Sequence, residues 1–321
     1  MAAAVIAQQN ESVALMFPGQ GSQYPGMAMD LMREFPVASS MLARADEVLG
    51  YSLTRIMSGE SGDDLNRTIH TQPAVFVHSM AILEILKASV SLSPTLAAGH
   101  SLGEYTALCA AGVMDFENAL DIIRVRAEGM DGSQPAGTCG MAAIIGVSRG
   151  QAAEIIDRFR GDLVLEAANF NTPDQIVISG HIENLNRVVE ALKQEKRVRA
   201  VMLPVSSAFH TSLMQPAREA LRVRLENATM KAPVFDVISN KSAQPYPAGE
   251  GEVKQLLIDQ VVSPVQWEDS IRTMLNIGVG TFIEIGPGKV LTGLLRRIDR
   301  TALAVNISGI EDIRSFVESG R

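Results

Sequence analysis

Apolar positions along this chain fall into two kinds of segment. Short runs stop at glycine or proline, and longer stretches mix small and large apolar residues; the two predict strands and helices in turn. Residues 13–17 form a short apolar run that ends at Pro18-Gly19-Gln20-Gly21, the pattern of a buried strand entering a tight turn, with a helix to follow. Residues 95–99 predict a second such strand, set between buried helices expected over 73–86 and 103–111. Strands that alternate with helices predict a mainly parallel sheet covered on both faces.

The middle of the chain changes pattern. It predicts a strand over 141–147, a helix over 149–159, strands over 163–169 and 175–179, a helix over 182–194 and a strand over 198–205. The order βαββαβ is the ferredoxin-like split motif, a complete small fold. The α/β pattern resumes afterwards with a strand over 234–239, a polar loop over 245–250, a helix over 253–260 and a strand over 281–285. The fold class expected is therefore α/β in two units: a discontinuous large domain of residues 1–135 and 207–321, and a ferredoxin-like insertion of residues 136–206. Gln134-Pro135-Ala136-Gly137 suits the linker into it, and the cleft between the units is the expected place for a substrate.

Composition narrows the class of function. The 321 residues are 46% hydrophobic and 20% charged, enough for a full core. A net charge of -8 argues against non-specific nucleic-acid binding, and no stretch approaches the roughly 20 apolar residues of a membrane span. Residues 1–7 are apolar but lack basic residues and run into Gln8, Gln9, Asn10 and Glu11, so they read as a frayed tail and not a signal peptide. Cys109 and Cys139 have no partners at metal-ligand spacing and form no disulfide framework, which fits a reducing cytoplasm.

Gly99-His100-Ser101-Leu102-Gly103 matches G-x-S-x-G, the nucleophile elbow, and stands where a predicted strand gives way to a predicted helix. The flanking glycines allow a sharp turn that exposes the serine oxygen. The helix that follows aims its free N–H groups at an oxyanion, Leu102 donating one of them. A serine hydroxyl needs a base to remove its proton. Of the five histidines, His100 is the neighbour of Ser101 in a segment expected to be extended, which sends its side chain to the opposite face. His70, His78 and His181 read as turn or core residues. His210 stands where the chain returns from the insertion to the large domain, facing the cleft.

These motifs resemble a known family. Phe17-Pro18-Gly19-Gln20-Gly21-Ser22-Gln23, Thr71-Gln72-Pro73-Ala74, the elbow with Glu104-Tyr105, Asn169-Phe170-Asn171, Ala208-Phe209-His210, Pro264-Val265-Gln266-Trp267 and Glu284-Ile285-Gly286-Pro287-Gly288-Lys289 occur in the order seen in malonyl-CoA:acyl-carrier-protein transacylases. The resemblance spans residues 13–300 and implies an α/β-hydrolase-like domain with a ferredoxin-like insertion. It assigns Ser101 as nucleophile, His210 as base, Gln260 as the carbonyl that orients it, and the N–H groups of Gln20 and Leu102 as oxyanion hole. Arg126 corresponds to the arginine that pairs with the malonyl carboxylate, with Arg124 as a nearby decoy on another helix face. Phe209 corresponds to the malonyl-type residue before the histidine. A dyad is implied, with no carboxylate as third member.

The resemblance further implies ping-pong transfer from malonyl-CoA to the phosphopantetheine thiol of an acyl carrier protein, without bound cofactor or metal, by a cytoplasmic monomer that binds neither nucleic acid nor membrane. Two basic clusters are candidates for docking an acidic carrier protein: Lys196, Arg197 and Arg199, or Lys289, Arg296, Arg297 and Arg300. Three other readings use the same residues: a trans-acting acyltransferase of a polyketide synthase, a serine hydrolase passing the acyl group to water, and a non-catalytic carrier-protein binder.

Overall fold

A computed structural model describes residues 12–205 and 207–319, so the frayed tail expected at residues 1–7 lies outside the described residues. In chain order the first part runs β1 (Ser12–Phe17), α1 (Met29–Glu34), α2 (Pro36–Leu49), α3 (Leu53–Ser58), α4 (Thr68–Ser89), β2 (Leu96–Gly99), α5 (Gly103–Ala110) and α6 (Phe116–Gly132). The middle runs β3 (Cys139–Ile145), α7 (Arg149–Arg160), β4 (Leu165–Thr172), β5 (Gln175–His181), α8 (Ile182–Leu192) and β6 (Arg199–Met202). The remainder runs α9 (Gln215–Glu226), β7 (Asp236–Ile238), α10 (Glu250–Gln260), α11 (Trp267–Ile277), β8 (Val279–Ile285), α12 (Val290–Ile298), β9 (Leu303–Ile307) and α13 (Ile310–Ser319).

Five strands form a parallel sheet in the order β7-β2-β1-β8-β9. Side chains of a strand alternate between faces, and here both faces are buried. Leu15 and Phe17 enter one core with Ala97, Ile283 and Ile285. Ala14 and Met16 enter a second with Ala98, Phe282 and, from α11, Trp267 and Ile271. That is why the sequence shows a continuous apolar run instead of alternation. β1 lies in the middle, with the chain winding away from it in both directions, and the carboxyl ends of β1, β2 and β8 open together on one edge. Such an edge is where sheets of this type bind ligands.

The other four strands form an antiparallel sheet in the order β4-β5-β3-β6. One face packs Ala142, Ile144 and Ile178 against Leu185 and Val188 of α8. From the other face, Met141, Ala143 and Val177 join the core of the parallel unit. Main-chain bonds tie β4 to the loop before α11: Val265 N–H donates to the Ala168 carbonyl (2.8 Å), and Phe170 N–H donates to the Val265 carbonyl (2.9 Å). Arg149 of α7 lies over the Phe170 ring and pairs with Asp269 at 2.8 Å, and Arg297 of α12 pairs with Asp174 at 2.8 Å.

Some elements depart from expectation. The helix expected at Pro73 begins five residues earlier, at Thr68, and encloses the proline. Proline cannot donate to the carbonyl four residues back, and the Tyr51 hydroxyl donates to that Ile69 carbonyl instead (3.2 Å). The strand expected over 234–239 is only Asp236–Ile238 at the sheet edge. β9, on the opposite edge, is intermediate or exposed at every position but buried Ile307, and its sequence does not read as a strand.

Candidate active site

Ser101 sits between the end of β2 and the start of α5 with φ +53, a left-handed conformation uncommon for a side-chain-bearing residue. Crowding around it explains the glycines. A Cβ on Gly99 would lie 1.8 Å from the Gly103 carbonyl carbon, and one on Gly103 would lie 2.0 Å from the Phe17 carbonyl oxygen. The loop after β1 approaches just as closely, since a Cβ on Gly19 would lie 2.4 Å from the His100 carbonyl oxygen. Asn240, just beyond β7, holds the elbow from the far side. Its Oδ1 accepts the Ser101 N–H (2.7 Å), and its Nδ2 donates to the Gly99 carbonyl (2.6 Å).

The elbow brings Ser101 Oγ to 2.7 Å from His210 Nε2, and His210 Nδ1 lies 3.0 Å from the Gln260 backbone carbonyl. A carbonyl can only accept, so Nδ1 carries the proton and Nε2 is free to accept from the serine. His210 is buried, and its pKa is pushed down to about 3, first by burial and then by the nearby Arg126 charge. The imidazole is therefore neutral at ordinary pH, as a base must be.

Arg126 rises from α6 into the same space and is 1% exposed. Its Nη2 donates to Ser101 Oγ (2.9 Å) and to Gln260 Oε1 (2.9 Å), and its Nη1 donates to Gln72 Oε1 (2.7 Å). Its guanidinium lies 5.4 Å from the centre of the Tyr105 ring. Arg124, by contrast, pairs with Asp121 and Glu128 along the helix surface.

Gln260 has a second use that sequence reasoning missed. Besides its backbone carbonyl, its side-chain Nε2 donates to the Ser101 carbonyl (2.8 Å) and to the Glu104 carboxylate. Glu104 Oε1 accepts from the Asn240 N–H (2.9 Å) and from the Tyr246 hydroxyl. Burial raises the Glu104 carboxyl to about 7 against the opposing effect of these hydrogen bonds and of Arg126. Glu104 and Gln72 stood inside quoted motifs but received no role. Asn240 and Tyr246 carried no signal, because polar residues in a loop after a strand look like solvent-facing turn.

Gln20, Leu102 and Phe209 all line the cavity at Ser101, which holds about 100 Å³ together with Met130, Met141 and Leu203. This is room for a small acyl group. Among the described residues the backbone N–H groups of Gln20 and Leu102 donate to no protein acceptor and remain available at the serine. The His100 side chain is engaged elsewhere, as expected of a histidine that is not the base. The segment is not extended at Ser101, and His100 lines the same cavity; it is removed from base duty because its Nε2 bonds Asn171 Oδ1 at 2.8 Å. His70 and His78 bond the carbonyls of Asp64 and Ser308, and His181 Nδ1 accepts the Val164 N–H, as turn and core histidines would.

The comparisons with known proteins agree on one family. A model described as acyl transferase domain matches residues 15–310. The malonyl CoA-acyl carrier protein transacylase of Bacillus subtilis (strain 168) is 40% identical over 309 residues, covering 96% of each chain. The chain belongs to the malonyl CoA-acyl carrier protein transacylase family. Solved structures of family members superpose along nearly the whole length. One, from Coxiella burnetii, has a TM-score of 0.92 at 34% identity, over 96% of this chain and 98% of that one. Another, a malonyl-transacylase in complex with the holo acyl-carrier protein of a type II polyketide synthase, has a TM-score of 0.91 at 36% identity, over 96% of this chain and 99% of its own.

Proposed function

We propose that this protein transfers a malonyl group from malonyl-CoA to the phosphopantetheine thiol of an acyl carrier protein, through an ester on Ser101, in fatty-acid biosynthesis. One observation carries the reading: Ser101 Oγ contacts both the accepting nitrogen of His210 and a guanidinium nitrogen of buried Arg126. A nucleophile, its base and a carboxylate receptor thus meet at one oxygen.

His210 Nε2 takes the serine proton as Oγ attacks the thioester carbonyl, and the imidazolium that forms is stabilised by the Gln260 carbonyl on Nδ1. The N–H groups of Gln20 and Leu102, the latter at the N-terminus of α5, hold the oxyanion. His210 then protonates the departing coenzyme A thiolate. The malonyl carboxylate lies in the Arg126 fork, and Phe209 crowds the acyl α-carbon. The carrier-protein thiol loses its proton to His210 and attacks the ester; the acyl C–Oγ bond to Ser101 breaks, His210 returns the proton to Oγ, and the malonyl group leaves as the carrier-protein thioester. No bound cofactor or metal takes part in this scheme.

The architecture fits an α/β-hydrolase-like catalytic domain of residues 1–135 and 207–321 carrying a ferredoxin-like insertion of residues 136–206; residues 1–11, 206 and 320–321 of these ranges lie outside the described residues. The reading takes the enzyme to be a cytoplasmic monomer that binds neither nucleic acid nor membrane. Among the described residues no helix is long and apolar enough to cross a membrane, and Cys109 and Cys139 are free. Lys196, Arg197 and Arg199 lead into Leu203 at the cavity, while Lys289 precedes α12 and Arg296 stands in its last turn; all five are exposed and suit an acidic carrier protein. Arg297 is partly spent on Asp174. The likeness to a transacylase bound to a polyketide carrier protein supports a second pathway reading, service to a polyketide synthase, with the same chemistry.

Intact-mass analysis after incubation with malonyl-CoA tests the function. The wild type gains a malonyl adduct that holo carrier protein discharges, and Ser101→Ala gains none. Free malonate as the main product with carrier protein present refutes the transferase reading.

A further inference from the structure

Glu104 lies on the first turn of α5 at 0% exposure, beside the site, and its described partners are Tyr246, the Asn240 N–H and Gln260 Nε2. It has no part in the dyad. Arg126 presents the complementary problem: a buried cation whose described hydrogen-bond acceptors are neutral oxygens of Gln72, Ser101 and Gln260. The Gln260 side-chain amide joins the two, with Oε1 accepting from Arg126 Nη2 at 2.9 Å and Nε2 donating to Glu104.

We propose that Glu104 is a positioning residue for malonyl recognition, supplying the counter-charge of Arg126 through the Gln260 amide and fixing that amide so that Nη2 is held at the serine, where the hydrogen bond it now gives to Ser101 Oγ can pass to the substrate carboxylate. The inference rests on Arg126 receiving that carboxylate. A carboxylate paired directly with Arg126 would fill the fork by bidentate hydrogen bonding and compete with substrate. No counter-charge at all would leave a cation buried in low dielectric, which is strongly unfavourable. A charge set one amide away meets both demands, and it polarises the amide so that Oε1 becomes a stronger acceptor.

The orientation follows from counting donors. Glu104 and the Ser101 carbonyl both require donors, and both lie at Gln260 Nε2. Only Oε1 is left for Arg126. In Glu104→Gln the new carbonyl must stay with the Asn240 N–H and the Tyr246 hydroxyl, so the new NH2 faces Gln260 Nε2. Two donors then oppose each other, Gln260 turns, and its donor end meets Arg126. Protonation of Glu104, whose carboxyl is raised to about 7, has the same consequence. Arg126, Tyr105 and Tyr246 are the charged or titratable groups facing it; burial raises both tyrosines and lowers His210 to about 3, so neither the tyrosines nor His210 titrate between pH 5 and 9.

The test measures loading of Ser101 by malonyl-CoA and by acetyl-CoA, which lacks the distal carboxylate. Glu104→Gln is expected to lower kcat/KM for malonyl-CoA tenfold or more, chiefly through KM, while acetyl loading changes less than threefold. The wild-type malonyl profile is expected to fall as pH drops through about 7, and this limb is absent in the variant. Glu104→Asp restores part of the malonyl preference. Tyr246→Phe, which removes one donor to the carboxylate, moves the limb to higher pH and decides the matter if Glu104→Gln does not fold. Equal losses with both donors, or an unmoved limb in Tyr246→Phe, overturn the relay. Arg126→Ala runs in parallel: an unchanged malonyl-to-acetyl ratio there overturns the carboxylate reading itself, whereas a collapsed ratio there with an intact one in Glu104→Gln overturns only the relay.

Discussion

Asn240→Ala offers a direct measure of what holds the elbow in its left-handed turn. The substitution removes the acceptor for the Ser101 N–H, now 2.7 Å away, and the donor to the Gly99 carbonyl, now 2.6 Å away. Asn240 is itself 0% exposed, so water does not readily replace either bond. A buried polar group left unpaired costs about 1–3 kcal/mol, and two of them put the loss at roughly 2–6 kcal/mol. For a domain this large each kcal/mol corresponds to about 2–4 °C, so the midpoint falls by about 4 °C at the least. The chemical effect is larger. Ser101 loses one restraint on its strained φ, and a displacement of about 1 Å from His210 Nε2 is worth on the order of 10²-fold in rate. Calorimetry and rapid-quench measurement of malonyl-enzyme formation give the two numbers. Asn240→Asp, which keeps the acceptor and loses the donor, falls between wild type and Asn240→Ala. A variant that melts within 1 °C of wild type and acylates at the same rate refutes the reasoning.

Other outcomes follow from single contacts. Gly19→Ala pushes the loop off the His100 carbonyl, 2.4 Å from the added Cβ; acylation slows with the Gln20 N–H displaced, while the fold persists because the loop lies beyond the carboxyl end of β1 and carries none of the sheet's ladder bonds, as circular dichroism reports. Phe209→Ser enlarges the cavity beside the acyl group, and loading of methylmalonyl-CoA relative to malonyl-CoA rises on the order of tenfold, the worth of about one methylene. His78 is buried with its Nε2 on the Ser308 carbonyl, and burial pushes its pKa from 6.5 to about 4. The unfolded chain takes up that proton first, so this stability is present above pH 6.5 and lost as pH falls toward about 4, at about 1.4 kcal/mol per pH unit. Urea midpoints of His78→Gln between pH 7 and 5 show a shallower decline than wild type.

The elbow was legible because its requirements are local. Two glycines and a serine within five residues state a backbone geometry, and the flanking apolar runs state its setting. His210 was legible by its place where the chain returns from the antiparallel sheet toward the parallel one, and Arg126 only by resemblance, since spacing alone makes a helical arginine look exposed. The network behind them was hidden for a physical reason. Gln72, Asn240, Tyr246 and the side chain of Gln260 are polar groups that become interior only when three separate segments meet at the elbow, and no periodicity within one segment announces that. The central strands were legible for the opposite reason, being buried on both faces, whereas β7 and β9 lie at sheet edges where the apolar signal fades.

The central place of β1 also governs when the site can exist during synthesis. Ala14 pairs with Leu96 on one side and with Phe282 on the other. At about 5–20 residues per second, the second partner leaves the ribosome on the order of ten to forty seconds after the first. Throughout that interval one ladder of β1 is open, and for most of it the apolar face meant for α11 and α12 has no cover. Serine and base can already have emerged, but Gln260 and the closing strand have not. The newborn chain therefore carries an elbow without a working dyad until its last third arrives, and chaperone binding is best sought in that window.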